Sequence, residues 1–421
     1  MEDSHLSLET IAQWLSGDLS FEDLTSLVIP HFFTCCPVCR AHYQEVQRLK
    51  KEVDHWDERV AVFEGQKAPE LLAAMIEKPF DEQMALIEEN PEYQTWALCQ
   101  ILLKTSHATS FEDPLKAVNL AELAVTIADG LGTAYDLCWI ADLRARSYAY
   151  LGNARRILGE LRSAETAFRE ADVRLRGTTG NPLVEAEILR MKASLRRDQR
   201  RFSEALKIIT QALSLYREQG DIHGAGTSSI QCAKILEESG ELPAAIDLLR
   251  QTIAGIDAAA EPHLHLYARH NLVNCLSLAG RYPEAEDLLP ELRDESARIA
   301  KPLDIVRLQW IEGRVAFHLG RSAEAEAVFR AVQTEFLGRG MGYDAALVSL
   351  ELALLYVQEQ RTADLQRLAV EIMPIFEARD VHREALATLV IFQKACEQER
   401  LTAQLAIQLA AALRREQPAP A

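Results

Sequence analysis

The chain has 421 residues, 48% of them hydrophobic and 26% charged, with a formal net charge of −18. That acidic balance excludes a whole-chain role in coating nucleic acid and removes direct nucleic-acid binding from the expected partners. No apolar run approaches the roughly 18 residues that span a bilayer, and no charged-then-apolar leader opens the chain, so a cytoplasmic protein without membrane partners is expected.

His5 opens a short amphipathic helix, Leu6–Leu15, and Gly17-Asp18 turns the chain. Ser20, with Asp23 three residues on, reads as the N-cap of a second helix ending at Pro30. Then comes His31-Phe-Phe-Thr-Cys35-Cys36-Pro37-Val38-Cys39, with Pro37 suited to the first turn of a third helix. Cys36-x2-Cys39 brings two thiolates within reach of one metal, and His31 and His5 could complete a tetrahedral N2S2 set. A metal-free helical cap and a redox dithiol are the other readings. The third helix runs on to about Phe63 with Val46, Leu49, Val53, Trp56, Val60 and Phe63 along one seam. That seam either packs inside the module or receives a partner helix. Cys99, Cys138, Cys232, Cys275 and Cys396 stand singly in helical patterns and read as buried thiols of a reducing compartment.

The set His5, His31, Cys36, Cys39 resembles the zinc-binding domain of bacterial zinc anti-sigma factors, whose signature is an early histidine followed by His-x3-Cys-x2-Cys. Here the spacing is His-x4-Cys-x2-Cys; Cys35 would restore the first gap at the expense of the second, which leaves the choice between Cys35 and Cys36 open. The resemblance implies a structural Zn2+, helices that clasp a sigma factor, and residues 1–65 as one module. Some relatives sense oxidants through such a site.

Glu64–Pro69 is expected to break the long helix. Helices over Glu70–Glu77, Asp81–Glu89 and Tyr93–Ser106 should follow, residues 66–115 forming a linker that caps the array behind them. Trp96, Cys99 and Leu103 share an apolar face, as do Ala117, Ala121 and Ala124 of the next helix.

From there a phrase recurs. Ala-x3-apolar appears at Ala164–Phe168, Ala205–Ile209, Ala245–Leu249, Ala285–Leu289 and Ala325–Phe329, and more loosely at Leu365–Ala369 and Leu405–Leu409, at a period of 40 residues after a first step of 41. Five residues before each start lies a turn: Gly159, Gly240, Gly280 and Gly320, with Arg200, Gln360 and Arg400 where glycine is missing. Such a period means stacked helical hairpins. Small residues let two helices approach, a larger one fills the next groove, and a left-handed residue reverses the chain. Gly177–Pro182, Gly220-Asp221, Glu261-Pro262, Lys301-Pro302, Gly338–Gly342 and Arg379-Asp380 separate the hairpins. The glycines of Gly338–Gly342 lack a Walker loop's Lys-Ser/Thr and read as a link.

Leu151-Gly152 before Ala164-x3-Phe168, and Gly313 before Ala325-x3-Phe329, resemble the tetratricopeptide (TPR) signature, with a longer period than that family's. An unrelated hairpin array of the HEAT type is the alternative. The resemblance implies an all-α fold, a right-handed TPR-like superhelical solenoid over residues 116–415, behind the small zinc-binding module and before a frayed tail, 416–421.

In TPR arrays the first helix of each hairpin lines a concave face. Positions thirteen, ten, six and three residues before each turn collect Arg146, Asn153, Arg156, Arg190, Arg197 and Lys234. Further along they collect Tyr267, His270, Asn274, Arg307, Trp310, Arg314 and Phe317; with Glu187 counted as the acid among them, the face reads as holding a surplus of positive charge in an acidic chain. Two readings stand: a groove for an acidic or phosphorylated segment, gripped by arginines around a Trp anchor, or a solvated face whose Arg stems cover apolar surface. In the next repeat Leu347, Leu350, Leu354 and Val357 take the same offsets, an apolar patch expected under the following helices. No hydrolase, metalloprotease, Walker or dinucleotide motif is present. The expectation is a non-catalytic regulatory scaffold, its zinc module on a sigma factor and its solenoid on a second protein or peptide; the alternative is a TPR assembly platform in which the zinc module is only a cap.

Overall fold

The computed structural model describes Thr10, residues 64–132, 135–175 and 178–377, and Leu405 and Gln408. Among these residues all regular structure is helical, and no helix is long and apolar enough to cross a membrane. A helical stretch over residues 64–75 leads to α1 (Phe80–Glu89), a 3-10 turn (Pro91–Tyr93), α2 (Trp96–Thr109) and α3 (Pro114–Gly130). Helical hairpins follow: α4 (Leu137–Ile157) with α5 (Leu161–Arg174), α6 (Pro182–Asp198) with α7 (Phe202–Glu218), and α8 (Ile222–Ser239) with α9 (Leu242–Gly255). Next are α10 (Pro262–Leu278) with α11 (Tyr282–Ile299), α12 (Pro302–His318) with α13 (Ser322–Gly338), and α14 (Gly342–Gln358) with α15 (Thr362–Glu377).

The chain divides into two compact units, Met1–Lys104 with Leu123–Leu137, and Thr105–Glu122 with Cys138–Ala421. In the first, residues 64–69 are helical where a break was expected. Ala68 and Met75, seven apart, are both buried, and the Glu64 carboxylate accepts hydrogen bonds from the Tyr135 hydroxyl and the Ala97 amide. Packing therefore overrides the Gly65 and Pro69 signals, and the chain turns only before Pro79. The following helix starts at Trp96 rather than Tyr93, because Asn90-Pro91 opens a 3-10 turn. Cys99, Leu103, Ala117, Ala121 and Ala124 are buried, as their spacing predicts.

In the second unit α4 packs on α5, from α5 to α15 each helix packs on the next in chain order, and from α6 to α14 the first helices of successive hairpins also touch. Pro182, Pro262 and Pro302 each open a first helix, where the missing N–H is no loss. Asp221 caps α8 by accepting from the Gly224 amide at 2.7 Å.

Every expected turn position within the described residues is left-handed: Gly159, Gly240, Gly280 and Gly320 at φ 91°, 91°, 73° and 83°, and also Arg200 at 61° and Gln360 at 57°. The backbone closes each turn the same way; the Arg321 amide reaches back to the Ala316 carbonyl at 2.9 Å, and the Arg201 amide to that of Arg196 at 2.8 Å. The motif is therefore set by hydrogen bonding, and glycine only lowers its strain. A left-handed non-glycine residue costs about 1–2 kcal/mol, part of which glycine returns as unfolded-chain entropy. Arg200→Gly is thus expected to stabilise the protein by about 0.5–1 kcal/mol; an unchanged or lower denaturation midpoint would contradict this.

The repeated Ala-x3 step sits at each hairpin crossing. Ala164, Ala205, Ala245, Ala285 and Ala325 are wholly buried, each with its larger partner. A Cβ on Gly152 would lie 2.9 Å from the Phe168 ring, and one on Gly313 2.8 Å from that of Phe329. The Gly of the first helix is thus the seat for the aromatic of the second. Leu347, Leu350 and Leu354 are buried with Phe329 and Phe336, and Leu405 packs against that cluster.

Candidate functional site

The first helices carry a row of ionic and polar groups. Helical spacing places positions thirteen, ten, six and three before each turn on one face. Near its start Arg146 donates to Glu187 at 2.8 Å, and Tyr150 donates to the other carboxylate oxygen at 2.6 Å. Arg156 donates to Asp198 at 2.5 Å and to Asn153 Oδ1 through two nitrogens, at 3.1 and 3.0 Å. Arg197 donates to Asp198 at 2.8 Å and approaches Glu238 at 3.8 Å.

In the middle hairpins Lys234 pairs with Glu237 at 2.8 Å, and the Cys275 thiol donates to the same carboxylate at 3.7 Å. Farther on Arg314 donates to Glu351 and to Ser277, both at 3.1 Å, and reaches Asn274 at 3.4 Å. Arg307 and the Tyr267 hydroxyl both approach Asp304, at 3.7 and 3.5 Å.

The partners stand one repeat apart: 41 residues from Arg146 to Glu187, 42 from Arg156 to Asp198, 37 from Arg314 to Glu351. The row is a ladder that ties each hairpin to the next. Arg156, Arg197 and Arg314 are buried within it, at 5%, 8% and 6% exposure, so their guanidiniums are already engaged. Arg146, Lys234, His270, Asn274, Arg307 and Trp310 are half-buried, as is Arg190, whose carbonyl accepts from Gln231 at 2.8 Å.

The positive surplus read from the sequence is matched by acids beside the row. Glu237 occupies one of the counted offsets, three residues before Gly240, and could have been found there. Asp198 and Glu238, two before their turns, and Glu351, nine before Gln360, fall between the offsets. They needed the structure, because a pair between hairpins depends on how one helix is rotated against its neighbour.

Burial dominates the electrostatics. It disfavours the Glu187 and Glu237 carboxylates, yet their cations outweigh it and hold both below the ordinary range. Glu238 goes the other way: burial pushes its pKa up, beyond what Arg197 and Lys234 offset. Burial, with Arg307 and Lys234 nearby, brings His270 down from 6.5 to about 4, so it is a neutral imidazole at physiological pH. Burial, then Glu237, raises the Cys275 thiol, which is therefore no nucleophile.

These shifts fix a pH dependence. Between pH 6.5 and about 4 the unfolded chain binds a proton that folded His270 refuses, so stability falls as pH falls through that window. Lower down, Glu165, held at about 2 by its hydrogen bonds from Arg196, gives up its contribution as pH drops below 4.5. His270→Gln should flatten the upper part of a melting-temperature profile and leave the lower part. Identical slopes for both proteins between pH 6.5 and 4 would contradict this assignment.

Trp310 packs edge-on against Phe336, with centroids 5.9 Å apart, and beneath Arg314, whose guanidinium carbon is 5.5 Å from the ring centre. Its Nε1–H is buried and has no acceptor among the described residues. Outside the described residues lie His5, His31, Cys35, Cys36 and Cys39; among the described residues no group of three or more His, Cys, Asp or Glu side chains is placed to hold a metal ion.

The crossings, the left-handed turns and the ladder define a TPR-like solenoid of helical hairpins. No family model matches the chain, and no curated protein matches it. Solved structures share the fold. Aspartyl phosphate phosphatase F from Bacillus subtilis is 12% identical, with a TM-score of 0.55 over 90% of this chain and 96% of that one. A Rap protein, solved in complex with competence and sporulation factor, is 13% identical, with a TM-score of 0.53 over 74% of this chain and 88% of that one.

Proposed function

We propose that this protein is a non-catalytic, cytoplasmic scaffold that binds another protein or peptide along the first-helix face of its hairpins. The observation that carries this reading is Trp310: a half-buried aromatic fixed between Arg314 and Phe336, with a donor that nothing among the described residues satisfies. Rigid Trp side chains flanked by Arg are the usual anchors of binding surfaces. Lys234, His270, Asn274 and Arg307, half-buried in neighbouring hairpins, would contact the occupant, with Arg146, Asn153, Arg156, Arg190, Arg197 and Arg314 holding the face in register. A Rap protein of similar fold is complexed with competence and sporulation factor, which supports a hairpin array as a receptor for a factor without identifying the one bound here.

In this reading residues 1–65 form a zinc module, with His5, His31 and Cys39 and either Cys36 or Cys35 as ligands, and it grips a sigma factor. Support comes from the donor set alone: two thiolates and two imidazoles suit a structural tetrahedral Zn2+. The scaffold then passes a signal bound on the hairpins to transcription.

Recovery of partners from native cells on the tagged protein tests both halves. A sigma factor lost on deletion of residues 1–65 supports the regulator. Partners that survive this deletion but not Trp310→Ala place function on the hairpins and leave the module a cap. Zinc content of the purified protein, near one per chain and lost in Cys39→Ser, checks the metal; zinc-free protein removes it.

A further inference from the structure

The second helices of the first two hairpins carry an outward stripe of unpaired cations. On α5, Arg162, Thr166 and Arg169 follow at spacings of four and three; on α7, Ser203, Lys207, Thr210, Ser214 and Arg217 do the same. All are exposed. Elsewhere on these hairpins the cations are engaged: Arg174 with Glu170, Lys192 with Asp172, Arg196 with Glu165, Arg201 with Glu204. Among the described residues Arg162, Lys207 and Arg217 have no carboxylate partner, and Arg169 bonds only the Thr166 hydroxyl, at 3.0 Å. Of the neighbouring acids left unpaired, Glu160 and Glu218 stand at the ends of the helices.

The same register on the following hairpins changes sign. On α9 it holds Asp247 and Arg250, the latter bridged to Glu284 at 2.8 Å; on α11 it holds Asp287, Pro290 and Asp294. In a chain of net charge −18 acids abound, yet none is spent on this stripe. Four unpaired cations interleaved with hydroxyls form a local positive field that steers and orients a carboxylate-rich partner. The overall charge repels an extended polyanion such as nucleic acid, so a short acidic element is the better fit.

We infer that the outer face of α5 and α7 is a second docking surface, for an acidic helix of a partner protein. This surface is separate from the first-helix face, so the scaffold holds two partners at once.

The test uses the full chain and a fluorescein-labelled helical peptide bearing Glu at i, i+4 and i+7, read by anisotropy at about 50 and 200 mM salt. The Glu peptide should bind at least about tenfold tighter than its Gln counterpart, and the quadruple variant R162E/R169E/K207E/R217E, with an unchanged circular dichroism spectrum, should lose about that factor. Trp310→Ala should leave it intact, which separates this surface from the one proposed above. Equal binding of Glu and Gln peptides, or equal binding by the quadruple variant, overturns the inference. So does a single-stranded oligonucleotide of equal charge that binds the same face more tightly, since the surface would then be one for phosphates.

Discussion

Glu351→Ala is expected to cost about 3–5 kcal/mol of stability, the range for a buried ion pair deprived of one partner. Arg314 is 6% exposed, and Glu351 is its one carboxylate contact among the described residues; Ser277 and Asn274 satisfy donors without neutralising the charge. The truncation leaves a guanidinium in low dielectric with no counter-charge. Replacing both partners with apolar residues of similar size, in R314M/E351L, should cost much less, because the desolvation of both ions goes with their attraction. Denaturation of the single and double variants decides it. A loss below about 1 kcal/mol for Glu351→Ala would show that the pair is effectively solvated. The contrast also asks what the ladder is for. If the double variant is as stable as the parent yet loses its partner, the ion pairs serve register between hairpins.

Phe329→Ala should be as damaging, at about 3–5 kcal/mol, by a different route. The ring is wholly buried, seated on Gly313 and packed with Phe336, Val332 and Ala353 in one cluster. Its removal leaves a cavity between helices that are fixed by their neighbours on both sides, so little collapse can fill it. Gly313→Ala probes the same contact from the other helix. Alanine in a helix interior would ordinarily gain about 1 kcal/mol over glycine. Here the new Cβ would stand 2.8 Å from the Phe329 ring and 3.1 Å from Val328, so overpacking of about 1–3 kcal/mol should outweigh the propensity gain. A stabilised Gly313→Ala protein would mean that the hairpin opens cheaply, and the signature would then carry less of the fold than its geometry indicates.

The repeat was legible because it is written in residues whose roles are local. Ala at the crossings, Gly152 and Gly313 under their aromatics, and the prolines opening first helices each follow from one helix meeting its neighbour at a fixed period. Arg200 and Gln360 were found as turns by position alone, and both adopt the left-handed backbone without glycine. The Glu64–Pro69 stretch misled because a glycine and a proline outweigh little when Ala68 and Met75 have a core to enter. The first-helix face was legible only in part. Counting fixed offsets found the cations, and Glu187 and Glu237 lie on those offsets too, but Asp198, Glu238 and Glu351 sit one position aside.

The sequence by itself determined the helical-hairpin array, its register and the identity of its turns, since these depend on steric choices made within one repeat and copied at the next. What only the tertiary structure decided is which charges are available. Whether an arginine is a ligand for a partner or a strut between hairpins depends on whether a carboxylate from the following repeat reaches it. That distance is set by the rotation of one helix against another, and no spacing along the chain records it. Arg314 and Arg217 are alike as letters; the first is locked to Glu351, and the second has an open surface before it.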